Sequence, residues 1–121
     1  MKSPIEKRFV VNVSGKDGRF AVDEKANRHP HVNMSKAAMN MMTRSSADDF
    51  SASNIFMNSV DTGWVTLEGG YARTQKIKED GFVPPLDAID AAARICDPIE
   101  IGIEAEPEFG KLFKDYKPAD W

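Results

Sequence analysis

The sequence predicts an α/β fold built on a parallel sheet, because three short apolar stretches alternate with two longer stretches of helical periodicity. The short stretches, rich in β-branched and aromatic side chains, occupy residues 9–13, 55–60 and 109–113. The helical stretches occupy residues 32–50 and 86–96. This alternation of strands and helices is the order of βαβ units, so we expect three parallel strands with two or three helices. Because such units close with one hand, both main helices can cover the same face of the sheet.

The first predicted strand, residues 9–13, reads F-V-V-N-V. A nearly continuous apolar run is typical of a strand buried on both faces of a parallel sheet. Residues 1–7, interrupted by Pro4, are expected to form a surface lead-in. Residues 15–18 carry two glycines and predict a turn, and residues 19–31 are expected to form a loop.

The helix predicted at residues 32–50 contains four of the six methionines. Its apolar positions 34, 38, 41 and 42 fall on one side, and positions 39, 42, 46 and 50 fall on the neighbouring side. Such a wide stripe is expected to face the core or a subunit interface, where flexible thioethers fill irregular gaps.

The remaining elements are predicted from turn residues, from a helix-ending proline and from helical periodicity. The second strand ends at Asp61-Thr62-Gly63, and the charged residues 66–85 are expected to form a loop with room for a short helix. In the next helix, Asp87 and Asp90 favour the first turn, and Pro98 is expected to end it. Its apolar residues repeat at helical spacing: Leu86, Ile89, Ala93 and Cys96. After the third strand we expect a polar tail.

Composition excludes several classes of protein. The 121 residues are 41% hydrophobic and 29% charged, as expected for a single globular domain. A net charge of −3 argues against a nucleic-acid partner, because phosphate binding needs clustered basic residues. No apolar run is long enough to span a membrane, and no secretory signal precedes the first strand. With a single cysteine, a cytoplasmic location is the default expectation.

Three features in a fixed order carry a family resemblance: a strand ending near Ser14, Lys36 at the start of a Met-rich helix, and Thr62-Gly63 after the next strand. Over residues 9–116 the chain resembles the C-terminal half of a short-chain dehydrogenase/reductase. It is most similar to a divergent branch that lacks the catalytic tyrosine. The resemblance implies a partial Rossmann-like fold, a single partial domain at residues 1–121 that contributes the last three strands. Because three strands alone would leave apolar faces in water, we expect a missing N-terminal half.

The resemblance also implies which catalytic groups are present. In the family, a tyrosine transfers the proton, a lysine four residues later lowers its pKa and holds the nicotinamide ribose, and a strand-end serine orients the substrate. Lys36 matches the lysine, whereas Val32 and Gly15 replace the tyrosine and the serine. Ser14, one residue off, and His31, beside the vacant tyrosine position, are weak candidates for those roles.

For the cofactor, NAD or NADP, the resemblance implies contacts from Lys36 and from the turn after the second strand: Thr62, Gly63, Val65 and Thr66. The family's glycine-rich phosphate-binding fingerprint has no counterpart in the sequence, so this chain alone is expected to bind the cofactor weakly or not at all. No metal site is expected, because His29 and His31 lack a third ligand.

Two functions follow as hypotheses. The first is a fragment of an NAD(P)-dependent short-chain oxidoreductase that is inactive alone. The alternative is a non-catalytic, dehydrogenase-derived binding or scaffolding module, and a third interpretation, an unrelated small α/β domain, fits the motif order poorly. The expected partners are a second copy of the chain or the missing N-terminal half, with no nucleic acid and no membrane.

Overall fold

The computed structural model describes residues 6–25, 27–67 and 70–121, so the expectation for most of the lead-in lies outside the described residues. The elements, in chain order, are β1 (Arg8–Ser14), a 3-10 turn (Lys16–Gly18), α1 (Pro30–Ser51), β2 (Ile55–Asp61), α2 (Tyr71–Glu79), α3 (Ala88–Glu104), β3 (Leu112–Lys114) and β4 (Lys117–Ala119). No helix in these ranges is long and apolar enough to cross a membrane.

The strands form one sheet in the order β1-β2-β3-β4. β1, β2 and β3 are parallel, which confirms the predicted α/β, Rossmann-like class. The predicted third strand starts three residues before β3 and ends one residue before it. The predicted polar tail is wrong because it contains β4, which pairs antiparallel with β3. Asp115 and Tyr116 join the two strands with positive φ at both positions, as in a type I′ turn. Sequence reasoning missed this hairpin because Asp-Tyr lacks the glycine that usually marks such a turn.

The predicted apolar stripe of α1 faces solvent. Met34, Met41 and Met42 are exposed, so the expectation that they face the core is wrong, while the alternative of a subunit interface stays a prediction. The buried side of the helix carries Asn40, Thr43 and Ala47 instead. The physical reason is that the sheet opposite this helix is itself polar, and hydrogen bonds rather than thioethers fill the contact.

α3 continues six residues beyond Pro98, so the prediction that this proline ends the helix is wrong. Pro98 and Gly102 form the buried side of the helix, and the tertiary contact there overrides the local penalty of a proline. The apolar repeat that predicted this helix does not mark its buried side, because Ile89 is 78% exposed and Cys96 is exposed. Asp87 and Asp90 form a capping box at the start of α3, in agreement with the prediction that they favour its first turn.

α1 and α3 lie on opposite faces of the sheet, which corrects the expectation of a shared face. Thr43 of α1 hydrogen-bonds Asn12, whereas a Cβ at Gly102 of α3 would meet Phe9. Asn12 and Phe9 are three residues apart on β1 and therefore point to opposite faces. α1 connects β1 to β2 and α3 connects β2 to β3, so both connections advance in the same direction across the sheet. Because the two helices lie on opposite faces, the two β-α-β crossovers have opposite handedness.

β1 is an edge strand, which makes it less buried than predicted. Residues 9–12 are half-buried, and Val13 is 39% exposed. β2, with neighbours on both sides, is buried from Phe56 to Asp61. The continuous apolar run of β1 is therefore only partly covered within the described residues.

Candidate functional site at the carboxyl edge of the sheet

The candidate site lies where β1 and β2 end side by side. The register pairs Val13 with Val60 and Ser14 with Asp61, so the segments that follow both strands leave the sheet at one edge. In open α/β sheets, ligands bind outside the carboxyl ends of the strands. The register therefore places Ser14 and the start of the Gly63 turn at one edge of the sheet.

Lys36 reaches this edge from the first turns of α1. Its Nζ donates a hydrogen bond to the carbonyl oxygen of Val13 at 2.9 Å, on the exposed side of the strand end. The helix is held there by the glycine of the preceding 3-10 turn: a Cβ at Gly18 would lie 2.6 Å from the Cβ of Lys36 and 2.8 Å from the nitrogen of Ala37. Gly18 thus permits the close contact that brings the lysine to the strand.

The turn after β2 is shaped by Gly63, whose φ of 77° favours glycine. A side chain there would also collide with Leu86, whose Cδ1 lies 2.7 Å from the position of an added Cβ. The nitrogen of Gly63 donates to Oδ1 of Asp61 at 2.9 Å, forming an Asx-turn. Further along, Nε1 of Trp64 donates to the carbonyl oxygen of Thr66 at 2.9 Å.

Asp61 and Lys114 are site residues that sequence reasoning missed. The Asp61 side chain is almost fully buried, and its Oδ2 lies 3.3 Å from Nζ of Lys114, which anchors the end of β2 to the end of β3. The spacing Asp61-x-Gly63 was a usable signal for the Asx-turn. No local sequence pattern predicts that Lys114 belongs to the site, because only the register of β2 and β3 brings it beside Asp61.

Ser14, next to Asp61 in the register, is 5% exposed, and its hydroxyl has no hydrogen-bond partner. Gly15 is extended and has open space where a side chain would be, so a serine there meets no obstacle. Val32 is half-buried on the first turn of α1. His31 is exposed, and its ring packs edge-on against the ring of His29 with centroids 5.9 Å apart.

A hollow of about 420 Å³ adjoins the Gly63 turn. Val65 and Thr66, two of the predicted cofactor contacts, form part of its wall, and Phe82 and Lys78 form another part. Trp64 stacks against Phe82 with ring centroids 4.9 Å apart, which ties the turn to the segment after α2. Among residues 6–25, 27–67 and 70–121, no three His, Cys, Asp or Glu side chains are grouped closely enough to hold a metal ion.

No protein-family model matches the sequence. An uncharacterized protein of Acanthamoeba polyphaga mimivirus is 34% identical over 123 residues, a match that covers 94% of this chain and 25% of that protein. The chain therefore spans about a quarter of the length of this curated relative.

Three solved structures share this Rossmann-like fold. The carbonyl reductase Sniffer of D. melanogaster matches with a TM-score of 0.64 and 22% identity, covering 93% of this chain and 41% of that one. An NADPH-bound carbonyl reductase from chicken fatty liver matches at 0.60 with 17% identity, covering 93% and 42%. A Burkholderia multivorans structure described as a short-chain dehydrogenase/reductase with bound NADP matches at 0.60 with 20% identity, covering 93% and 44%.

Proposed function

We propose that this chain is a C-terminal part of an NAD(P)-dependent short-chain oxidoreductase of the divergent branch without the catalytic tyrosine. In this proposal the chain supplies the nicotinamide end of the cofactor site and is not active alone. The observation that carries it is the position of the Lys36 ammonium and the Gly63 turn at one edge of adjacent parallel strands. The likeness to NADP-bound reductases supports the same cofactor class.

The residues present fit the nicotinamide end. Lys36 has three N–H bonds and one binds Val13, so the others are free to donate to ribose hydroxyls. Gly63 leaves the backbone open to close approach, while its own N–H is already bonded to Asp61. A bound nicotinamide would supply hydride transfer, and the role of these residues is to bind and orient it.

The proposed inactivity of the isolated chain follows from the missing phosphate-binding half and from two replaced catalytic groups. Val32 cannot exchange a proton, and Gly15 has no hydroxyl with which to orient a carbonyl group. Ser14 does not replace it, because the next residue along a strand points to the other face. These two changes are also the observations that favour the alternative function, a binding or scaffolding module.

The missing half has a place to bind in this proposal. β1 is an edge strand with an apolar sequence, and its outer backbone groups have no neighbouring strand within the described residues. Unpaired strand edges are templates for further strands. The N-terminal half, with the phosphate-binding turn, is proposed to extend the sheet from β1.

The test is titration of the chain with three compounds, followed by NMR and calorimetry. Reduced nicotinamide mononucleotide should bind with a millimolar dissociation constant, about −4 kcal/mol, and shift the amides of the Gly63 turn. NADPH should bind no more than about tenfold tighter, and ADP, which lacks the nicotinamide ribose that Lys36 is proposed to hold, should cause no shifts. Lys36→Met should abolish the shifts, while the matched control Lys117→Met on exposed strand β4 should not.

Two results would overturn the proposal. A micromolar dissociation constant for NADPH, about −8 kcal/mol, would mean that the chain holds a complete site. Shifts of the Gly63 turn from ADP, or none from the mononucleotide, would place no nicotinamide end at this edge and would favour the scaffolding alternative.

A further inference from the structure

Asn40 is a buried amide that faces the 3-10 turn from α1. Its side chain is 3% exposed, and its Nδ2 donates to the carbonyl oxygen of Gly18 at 3.2 Å. Its Oδ1 is also buried and has no hydrogen-bond partner within the described residues. A buried amide that uses only part of its hydrogen-bonding capacity contributes little to the free energy of unfolding. The bond to Gly18 therefore matters more for where it holds the turn than for how strongly it stabilises the fold.

The turn that Asn40 holds is the one against which Lys36 packs. A Cβ added at Gly18 would lie 2.5 Å from the carbonyl carbon of Lys36 and 2.6 Å from its Cβ. Asn40 follows Lys36 by one helical turn, so both residues lie on the side of α1 that meets the 3-10 turn. The bond from Asn40 thus keeps Gly18 in contact with the main chain of Lys36.

A third contact connects this pair to the end of β1. Nζ of Lys36 donates to the carbonyl oxygen of Val13 at 2.9 Å, and only a short segment separates Val13 from Gly18. The contacts Asn40–Gly18, Gly18–Lys36 and Lys36–Val13 therefore form a closed circuit of helix, turn and strand. Because the circuit is short, a shift of the turn changes the position of the Lys36 ammonium relative to the strand end.

Other contacts around the start of α1 hold different parts of it. Lys25 holds the outer side of the same turn, where its Nζ donates to two carbonyl oxygens in solvent-exposed bonds. Thr43 bonds Asn12, which lies two residues before the end of β1, and so holds the helix along the strand. Asn40 supplies a bond from the helix to the inner side of the turn.

We propose that Asn40 is a positioning residue for Lys36. Its amide holds the Gly18 turn against α1, and the turn keeps the Lys36 ammonium on the carbonyl oxygen of Val13. This role concerns the fold alone and requires no nucleotide. Its consequence, that Asn40 sets how well Lys36 meets a nicotinamide ribose, rests on the function proposed above.

Competitive acetylation of the lysines measures the position of Lys36 without a nucleotide. The full chain is treated with a limiting amount of acetic anhydride, and the yields at Lys36 and at the exposed Lys117 are compared by mass spectrometry. The amine nitrogen attacks an anhydride carbonyl, acetate leaves and the amine proton passes to solvent. Because the Lys36 ammonium donates to Val13, the wild-type chain should be labelled less at Lys36 than at Lys117.

Asn40→Leu keeps the branched shape of the side chain and removes its donor. Labelling of Lys36 relative to Lys117 should rise about threefold, as expected for the loss of one hydrogen bond. The matched control is Phe56→Leu, which weakens the packing on the opposite face of the sheet and should leave the ratio unchanged. If circular dichroism shows that Asn40→Leu is unfolded, Asn40→Ala removes the same donor without adding volume.

Two outcomes would overturn the positioning role. A labelling ratio that is unchanged in a folded Asn40 variant would show that the amide does not hold Lys36 in place. An equal rise of the ratio in Phe56→Leu would show that any loosening of the fold releases Lys36.

Reduced nicotinamide mononucleotide tests the consequence for binding. Its dissociation constant should rise about threefold in Asn40→Leu and stay at the wild-type value in Phe56→Leu. An unchanged constant beside a raised labelling ratio would overturn the consequence for the ribose. If the wild-type chain binds no mononucleotide, the function proposed above fails, while a raised labelling ratio still supports the positioning role.

Discussion

The two faces of the sheet are built in different ways. On the α1 face, Asn12 donates to Thr43 at 2.9 Å, and the hydroxyls of Thr43 and Ser59 are 2.8 Å apart. On the α3 face, the ring of Phe56 packs between Phe9 and Phe109, with centroids 5.8 and 6.1 Å away. One face is joined by a buried hydrogen-bond network and the other by aromatic packing.

We infer from this difference that the α1 face mainly positions Lys36 and that the α3 face mainly stabilises the fold. Hydrogen bonds are directional, so the α1 network fixes the helix along the strands and with it the reach of Lys36 to Val13. Aromatic packing is less directional and buries more apolar area, so the α3 face should carry more of the folding free energy. The substitutions below test this division.

The largest loss of stability is expected for Phe56→Ala, because it removes the ring shared by two aromatic contacts. The expected cost is about 3–5 kcal/mol of unfolding free energy, measured by urea denaturation. Phe20→Ala is the matched control, since Phe20 is 89% exposed, and should cost less than about 0.5 kcal/mol. If Phe56→Ala does not fold, Phe56→Leu keeps the ranking measurable. Similar costs for Phe56→Ala and Phe20→Ala would contradict the division.

Gly18→Ala should cost about 1–3 kcal/mol, because the new Cβ would meet the backbone of Lys36 and Ala37. Gly102→Ala is the comparison on the other face. Its Cβ would meet the edge of the Phe9 ring, and alanine gains about 1 kcal/mol of helix propensity over glycine. Thermal and urea melts should therefore rank Gly18→Ala as the more damaging change, and the reverse order would mean that α1 docks loosely.

Thr43→Val tests the buried network without changing side-chain size much. It leaves the Asn12 amide and the Ser59 hydroxyl without their partner, at an expected cost of about 1–3 kcal/mol. Thr43→Ser keeps the hydroxyl and should recover most of the loss. Equal stability of the valine variant and the wild type, measured by urea denaturation, would show that the network adds nothing.

The smallest expected effect is at the start of α3. Asp87→Ala removes the acceptor for two backbone N–H groups and should cost about 1 kcal/mol, whereas Asp87→Asn keeps an acceptor and should cost less. The α1 start has no side-chain cap, so His29→Ala should remove no capping bond. Equal urea midpoints for Asp87→Ala and Asp87→Asn would show that the cap is dispensable.

Local sequence patterns predicted where the helices and strands lie better than they predicted what each one packs against. The strand β2 and the helices α1 and α3 were found, because composition and periodicity act over neighbouring residues. The side of α1 that was expected to face the core or a subunit interface does not face the core, and for α3 the sequence predicted no buried side. Each has apolar residues on more than one side, and the sequence does not say which side meets a polar or an apolar sheet face.

In the candidate site, too, local patterns predicted single residues but not the contacts between distant ones. Lys36 and Gly63 were chosen from the order of motifs, and the roles assigned to them remain predictions. The pairing of Asp61 with Lys114 joins residues 53 positions apart, and no local pattern reports such a contact.

The sequence by itself determined the fold class, the position of the central strand and the absence of a tyrosine at Val32, because these depend on residue identity and short-range order. Tertiary structure decided that α1 and α3 cover opposite faces, that β1 is an edge, and that α3 presents Cys96 outward. Those outcomes depend on contacts between distant segments, whose free energies are realised only when the chain is folded.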